Sequence, residues 1–224
     1  MLHIIQNDPE VPPGNITENL DILGSPYFIQ HPYRGDPLPD LRDITAVIVL
    51  GGAMGANDDQ RHPFLKTLKL FIRKIVEQQI PYLGICLGGQ LLATACGGSV
   101  ISKRWEELGT LAVDLTSEGK LDQLFVGSGE SFTTFQWHHD SFDLPPGATL
   151  LASSSACPHQ AFRIGSRAWG TQFHPEVTEA IIRDWCNWDP LTRERSEELV
   201  AEWQSAVDYP ETARRMLENF LKVS

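Results

Sequence analysis

Ile80-Pro81-Tyr82-Leu83-Gly84-Ile85-Cys86-Leu87-Gly88-Gly89-Gln90 runs from a short apolar stretch into a glycine-flanked cysteine and on into residues suited to a helix start. Gly-x-Cys-x-Gly between a strand and a helix is the cysteine form of the nucleophile elbow, where flanking glycines permit a sharp turn that holds the side chain out at the carboxyl end of a strand. A helix beginning near Leu87 adds unpaired N–H groups and a positive dipole end, both of which favour thiolate over thiol. A free cysteine is otherwise usually a small buried hydrophobe. A core strand gains nothing from glycines around one thiol, so Cys86 reads as a nucleophile.

Working outward, residues 46–50 (Ala-Val-Ile-Val-Leu) form an unbroken β-favouring run of the kind covered on both faces in a parallel sheet, and it ends abruptly at Gly51-Gly52. Pro63 opens a helix in which Phe64, Leu68, Phe71, Ile72, Ile75 and Val76 recur at helical spacing, with Lys66, Lys69, Arg73 and Glu77 outside. With the strand at 80–85 these compose a βαβ unit. Residues 2–6 and 27–30 read as further strands around a short helix at 16–23, and a Pro-rich link covers 32–39. Beyond Gly97-Gly98 the pattern becomes shorter alternating runs at 109–116, 132–137, 149–153, 160–164 and 168–173, read as added strands, some of them antiparallel. Residues 178–188, 191–207 and 211–222 read as helices, the last carrying an apolar stripe of Ala213, Met216, Leu217, Phe220 and Leu221 that docks on the sheet. Trp185, Trp188 and Trp203 in this tail read as packing residues in preference to an interaction surface, the alternative for exposed aromatics. The expected fold is α/β, three-layer α/β/α with a mostly parallel central sheet. Residues 1–180 form the main domain, and 181–224 form a helical extension packed on it.

A chain of 224 residues with 42% apolar content supports one sizeable core. Its formal net charge of −11, from 18 basic and 29 acidic residues, argues against nucleic acid, whose binding rests on Lys and Arg neutralising phosphates. No stretch is long and apolar enough for a membrane span and the N-terminus lacks a leader pattern, so a cytoplasmic location is expected. Cys86, Cys96, Cys157 and Cys186 form no Cys-x-x-Cys pair and no zinc-type spacing, so no disulfide framework or metal is expected, and the last three are read as buried packing residues.

A cysteine nucleophile needs a base, and the base needs a group that fixes its tautomer. Phe173-His174-Pro175-Glu176 offers both: in an extended segment, residues two apart share a side, so Glu176 reaches one imidazole nitrogen while the other faces the sulfur. If the preceding strand is parallel to its neighbours, this pair lies on the carboxyl edge that also carries Cys86, where open α/β sheets place their sites. Donors for an oxyanion come from Gly51-Gly52-Ala53-Met54-Gly55, through the N–H of Gly52, and from the N–H of Leu87. No Gly-Lys-Ser/Thr follows that glycine cluster, which removes a phosphate loop.

Gly84 to Gln90, Gly51-Gly52 and Phe173 to Glu176, in this order, resemble the class I (triad) glutamine amidotransferases, with a flavodoxin-like fold, over roughly residues 1–180. The resemblance implies that Cys86 attacks the glutamine side-chain amide, His174 shuttles the proton, Glu176 orients His174, and Gly52 with Leu87 forms the oxyanion hole. A glutamyl thioester forms, ammonia leaves and water releases glutamate, without a cofactor. It also implies that Gln90 contacts the substrate and that Glu107-Leu108-Gly109 shapes the pocket. Trp137-His138-His139-Asp140 then occupies the place of a loop that holds the substrate's α-amino and α-carboxylate groups, with His139 standing where the family has glycine. A metal at His138 and His139 is not expected, because no third ligand has suitable spacing.

The residues after 180 are too few for a synthetase, so the first reading is a stand-alone glutaminase resembling that portion of GMP synthase, with a synthetase partner in trans or acting as a hydrolase. The second keeps the thioester and takes a γ-glutamyl peptide or related γ-glutamyl compound, its amine accommodated by His139 and the loop 102–108. The third is a non-catalytic regulatory or binding subunit, disfavoured because nucleophile, base and orienting carboxylate are all present.

Overall fold

The computed structural model describes residues 1–224. In chain order its elements are β1 (Leu2–Ile5), α1 (Asn15–Ile22), β2 (Tyr27–Gln30), β3 (Ala46–Val49), α2 (Phe64–Glu77), β4 (Tyr82–Ile85), α3 (Leu87–Ala95), β5 (Ser99–Ile101), β6 (Glu107–Leu115), α4 (Ser117–Leu121), β7 (Ser131–His138), β8 (Ser141–Asp143), β9 (Thr149–Ser153), β10 (Ala161–Ile164), β11 (Ala168–Thr171), α5 (Glu179–Trp188), α6 (Ser196–Ser205) and α7 (Tyr209–Leu221). Nine strands make one sheet in the order β2-β1-β3-β4-β11-β10-β9-β6-β7, and β5 pairs with β8 apart from it. The half from β2 to β11 is parallel and the half from β11 to β7 antiparallel. This is the expected α/β class, with helices on both faces.

The two faces can be read off β3, because side chains alternate along a strand. Ala46 and Ile48 join a core with Ile16 and Leu20 of α1 and Met216, Leu217 and Phe220 of α7. Val47 and Val49 join the opposite core with Leu68 and Ile72 of α2 and Leu91 of α3. Helix α2 buries Leu65, Leu68, Phe71, Ile72 and Ile75 on one face and leaves Lys66, Arg73, Lys74 and Glu77 outside. Each such burial contributes about 1.5–3 kcal/mol, which is why this amphipathic period reads so clearly.

A third core cluster joins α5 and α6 to Phe135 of β7, with Trp137 packed against it. Here the chain departs from the expected helix at 191–207. The Asp189 carboxylate accepts the Leu191 N–H at 3.0 Å, a 3-10 turn occupies Arg193–Arg195, and α6 follows. Helix α7 starts at Tyr209 rather than 211 because Pro210 falls in its first turn, where a missing N–H costs nothing. Trp185 is buried and Trp203 half-buried, whereas Trp188 is 55% exposed and so does not serve as core packing. Cys157 and Cys186 are buried as expected, but Cys96, at the end of α3, is only half-buried. No helix is long and apolar enough to cross a membrane.

Candidate active site

The carboxyl ends of β3, β4 and β11 adjoin in the sheet, and the segments leaving them carry Gly52, Cys86 and His174. Cys86 sits between β4 and α3 with φ +48° and ψ −105°, a left-handed conformation rare for a residue with a Cβ. The strain therefore lies on the cysteine itself, whereas the flanking glycines, expected to make the turn, provide clearance. A Cβ on Gly84 would lie 2.4 Å from the Gly88 carbonyl, one on Gly88 2.0 Å from the Val49 oxygen, and one on Gly89 2.5 Å from the Thr171 oxygen. Bare backbone at these positions lets α3 rest directly on β3, β4 and β11.

His174 is tied to β7 by its own N–H, which donates to the Phe135 oxygen at 2.8 Å. The chain turns at Pro175 and Glu176 rather than continuing extended, and the Glu176 Oε1 still meets His174 Nδ1 at 2.7 Å. The start of α1 clasps this turn: the Asn15 N–H and Nδ2 donate to the Glu176 and Pro175 oxygens, both at 2.9 Å. Gly14, at φ +52°, is needed there, because a Cβ would lie 2.0 Å from the Glu176 oxygen. From the other side the Tyr209 hydroxyl donates to the His174 oxygen at 2.8 Å, and the Trp185 ring stands edge-on to the imidazole with centroids 5.0 Å apart.

The imidazole and the thiol meet across Gly51, where an added Cβ would lie 3.2 Å from His174 Cε1 and 3.7 Å from Cys86 Cβ. Burial pulls the His174 pKa down, but the Glu176 carboxylate and the Cys86 sulfur outweigh it and raise it from 6.5 to about 10. The second Glu176 oxygen is buried without a partner. The N–H groups of Gly52 and Leu87 have no protein acceptor. The Leu87 side chain packs against Gly52, where an added Cβ would lie 2.8 Å from Leu87 Cδ2. The loop carrying Gly52 is held by β1's exit, where Asn7 Nδ2 donates to the Leu50 oxygen at 2.7 Å and Asp8 accepts the Ala53 N–H at 3.0 Å.

Cys86 is 8% exposed and lines a cleft of about 520 Å³ together with Gly52, Gln90, His138, His139, Asp140 and His174. Leu87 and Glu176 lie behind its wall. Gln90 Nε2 donates to the Asp140 oxygen at 3.1 Å and to Gln172 Oε1 at 3.4 Å, and Gln172 Nε2 donates to the Cys86 sulfur at 3.5 Å. His139 is exposed and pairs with Glu106 at 3.2 Å. Of the loop 102–108 only Ser102 lines the cleft, whose wall also includes Glu10, Val11, Trp137, Trp185, Trp188 and Asp189. Sequence reasoning missed that wall and Gln172, which stands directly before the Phe173-His174 pair.

His138 is buried, its Nε2 3.1 Å from Glu107 Oε2 and its Nδ1 3.4 Å from Ser141 Oγ. The antiparallel register places Glu107 opposite His138, and Cys157 joins them so that one ligand-type atom from each lies within 4.8 Å of the others. The expectation for His138 and His139 rested on spacing along the chain; the fold brings Glu107 and Cys157 to His138, and His139 is not among them. These atoms are already engaged as a hydrogen-bond network, with Ser154 and Gln160 donating to Glu107.

The sequence profile described as "Glutamine amidotransferase class-I" matches residues 27–181. The chain is 31% identical over 154 residues to the putative glutamine amidotransferase-like protein YfeJ of Salmonella typhimurium, spanning 67% of this chain and 64%, under two thirds, of that one. It is 30% identical over 164 residues to one subunit of the glutamine-hydrolyzing GMP synthase of Saccharolobus solfataricus, spanning 72% of this chain and 82% of that one. The crystal structure of a glutamine amidotransferase from Thermotoga maritima superposes with a TM-score of 0.87 at 30% identity, over 99% of this chain and 96% of that one.

Proposed function

Because the chain belongs to the class I glutamine amidotransferase family, whose enzymes are cysteine-dependent amidohydrolases, we propose that it cleaves γ-glutamyl amides through a thioester on Cys86. The observation that carries this reading is the buried His174 to Glu176 pair, 2.7 Å apart, beside a sulfur on the wall of a cleft. Glu176 fixes the tautomer of His174, whose imidazole takes the proton that the sulfur gives up, and stabilises the imidazolium that later returns it. The sulfur attacks the γ-carbonyl carbon, and the free N–H groups of Gly52 and Leu87 receive the oxyanion. His174 then protonates the departing nitrogen, and a water attacks the thioester to release glutamate. Gln90, His138, His139 and Asp140 wall the cleft where the glutamyl part binds. Glutamine is the simplest substrate of this chemistry. Ammonia release to a synthetase acting in trans is supported by the likeness to the GMP synthase chain of Saccharolobus solfataricus. A cytoplasmic setting fits the absence of any membrane-spanning helix.

The purified protein is expected to release glutamate from glutamine or another γ-glutamyl amide, and Cys86→Ala to abolish that release. An active Cys86→Ala protein refutes the proposal. The second reading, a γ-glutamyl compound with a larger amine, is favoured by the tryptophan-lined wall, because ammonia has no body to contact it.

A further inference from the structure

In acyl transfer the leaving nitrogen takes its proton from His174, so the leaving amine emerges on the imidazole side of the sulfur. That side is not bare. Trp185 stands edge-on against His174, and Trp137 packs against Trp185 with centroids 5.4 Å apart. Next along the same wall come Trp188, 55% exposed, then Asp189 and Glu10. The Trp185 Nε1–H donates to the Glu10 oxygen at 2.6 Å, which ties α5 to the segment that leaves β1. No Lys or Arg lines the cleft, and the His174 imidazolium is paired with Glu176, so the carboxylates that line it have no Lys or Arg beside them there. Asp58 and Asp140 stand beside Gly55, and Gln90 Nε2 donates to the Asp140 oxygen at 3.1 Å.

We propose that the Trp185, Trp188, Asp189 and Glu10 end of the cleft is a leaving-group subsite for an amine bearing a second positive charge, so that the substrate class is the γ-glutamyl amides of diamines. This deepens, and rests on, the thioester reading above. A cation is attracted to the face of an indole and to carboxylates that lack an ion-pair partner in a half-enclosed cleft, whereas an anion there is repelled. The chemistry balances without another reactant. The sulfur forms a bond to the γ-carbonyl carbon, and the carbon–nitrogen bond breaks as the His174 proton passes to that nitrogen. Water then adds to the thioester and yields its proton to His174, and the carbon–sulfur bond breaks to free glutamate. The distal ammonium stays charged throughout and serves only recognition.

The test is kcat/KM of the full chain for glutamine and for the γ-glutamyl amides of cadaverine, n-hexylamine and ε-aminocaproate, whose leaving amines differ only in a terminal ammonium, methyl or carboxylate. The cadaverine amide is expected to exceed the hexyl amide by about tenfold, the scale of one cation–π contact with a partly desolvated charge, and the aminocaproate amide by more. Asp189→Lys is expected to reverse the order of the cationic and anionic amides. Trp188→Ala, at an exposed position that leaves the core untouched, is expected to narrow the cationic preference. Equal turnover of the three amides, or an order that both variants leave unchanged, overturns the subsite. Turnover of none of the four compounds overturns the thioester reading instead, so the two failures are distinguishable.

Discussion

Gly88→Ala probes the seat of the nucleophile. A Cβ at this position would stand 2.0 Å from the Val49 oxygen and 2.8 Å from its carbonyl carbon, against an ordinary contact that begins at 3.4 Å. The obstacle is backbone in the middle of the parallel sheet, so relief requires the first turn of α3 to retreat from β3 by roughly an ångström. Overpacking of this kind costs about 1–3 kcal/mol, and a rigid carbonyl places Gly88→Ala at the upper end, about 3 kcal/mol. The same turn carries the Leu87 N–H and adjoins the Cys86 sulfur. A displacement of about 1 Å there is expected to lower turnover about a hundredfold. Urea unfolding followed by circular dichroism reads the first number, and glutamate release reads the second. Gly35→Ala is the comparison: at φ +91°, with no atom within 4 Å of an added Cβ, it meets only the backbone cost. That is about 1 kcal/mol, with turnover unchanged. If Gly88→Ala is as stable as Gly35→Ala and fully active, the clearance argument is wrong.

Glu176→Gln removes the charge that raises His174. In the wild-type protein the folded state keeps the His174 proton up to about pH 10, whereas the unfolded chain releases it near 6.5. This contribution to stability is therefore complete below pH 6.5 and is lost as pH rises through 10. Unfolding across that window should show the decline in wild type and its loss in Glu176→Gln, whose turnover at neutral pH should fall by at least about a hundredfold. Tyr209→Phe removes the hydroxyl that donates to the His174 oxygen at 2.8 Å, and denaturation should report a loss of about 1 kcal/mol. Asp122→Ala should destabilise by about 3 kcal/mol without moving KM. Its buried carboxylate is shared by Arg163 at 2.5 Å, the Trp169 indole at 2.8 Å and the Leu124 N–H at 2.9 Å, all remote from the cleft.

What could be read in the chain was whatever one element decides alone. The runs Ala46–Val49 and Tyr82–Ile85 are apolar on both faces, which already implies a sheet covered twice, and the period of α2 follows from a single buried face. The Cys86 elbow and the His174 to Glu176 pair were legible because each is a local pattern with its own chemical logic. What stayed hidden depends on distant pairings. Trp185 sits in an amphipathic helix like any packing aromatic, and only the docking of α5 sets it against His174 and Glu10, the latter 175 residues away along the chain. The Glu107, His138 and Cys157 cluster depends on the β6 to β7 register, and Trp188 is exposed because it falls at the last residue of α5, on the cleft rim. The His139 loop was expected to take the amine because a side chain replaces a glycine there, whereas the wall beside His174 is set by packing.

The most direct measurement is acid-quench mass spectrometry of the enzyme during turnover of a γ-glutamyl amide. One γ-glutamyl group is expected on Cys86 in the wild-type protein, and none in Cys86→Ala. Turnover with no adduct on Cys86, or with the adduct on another residue, contradicts the Cys86 thioester.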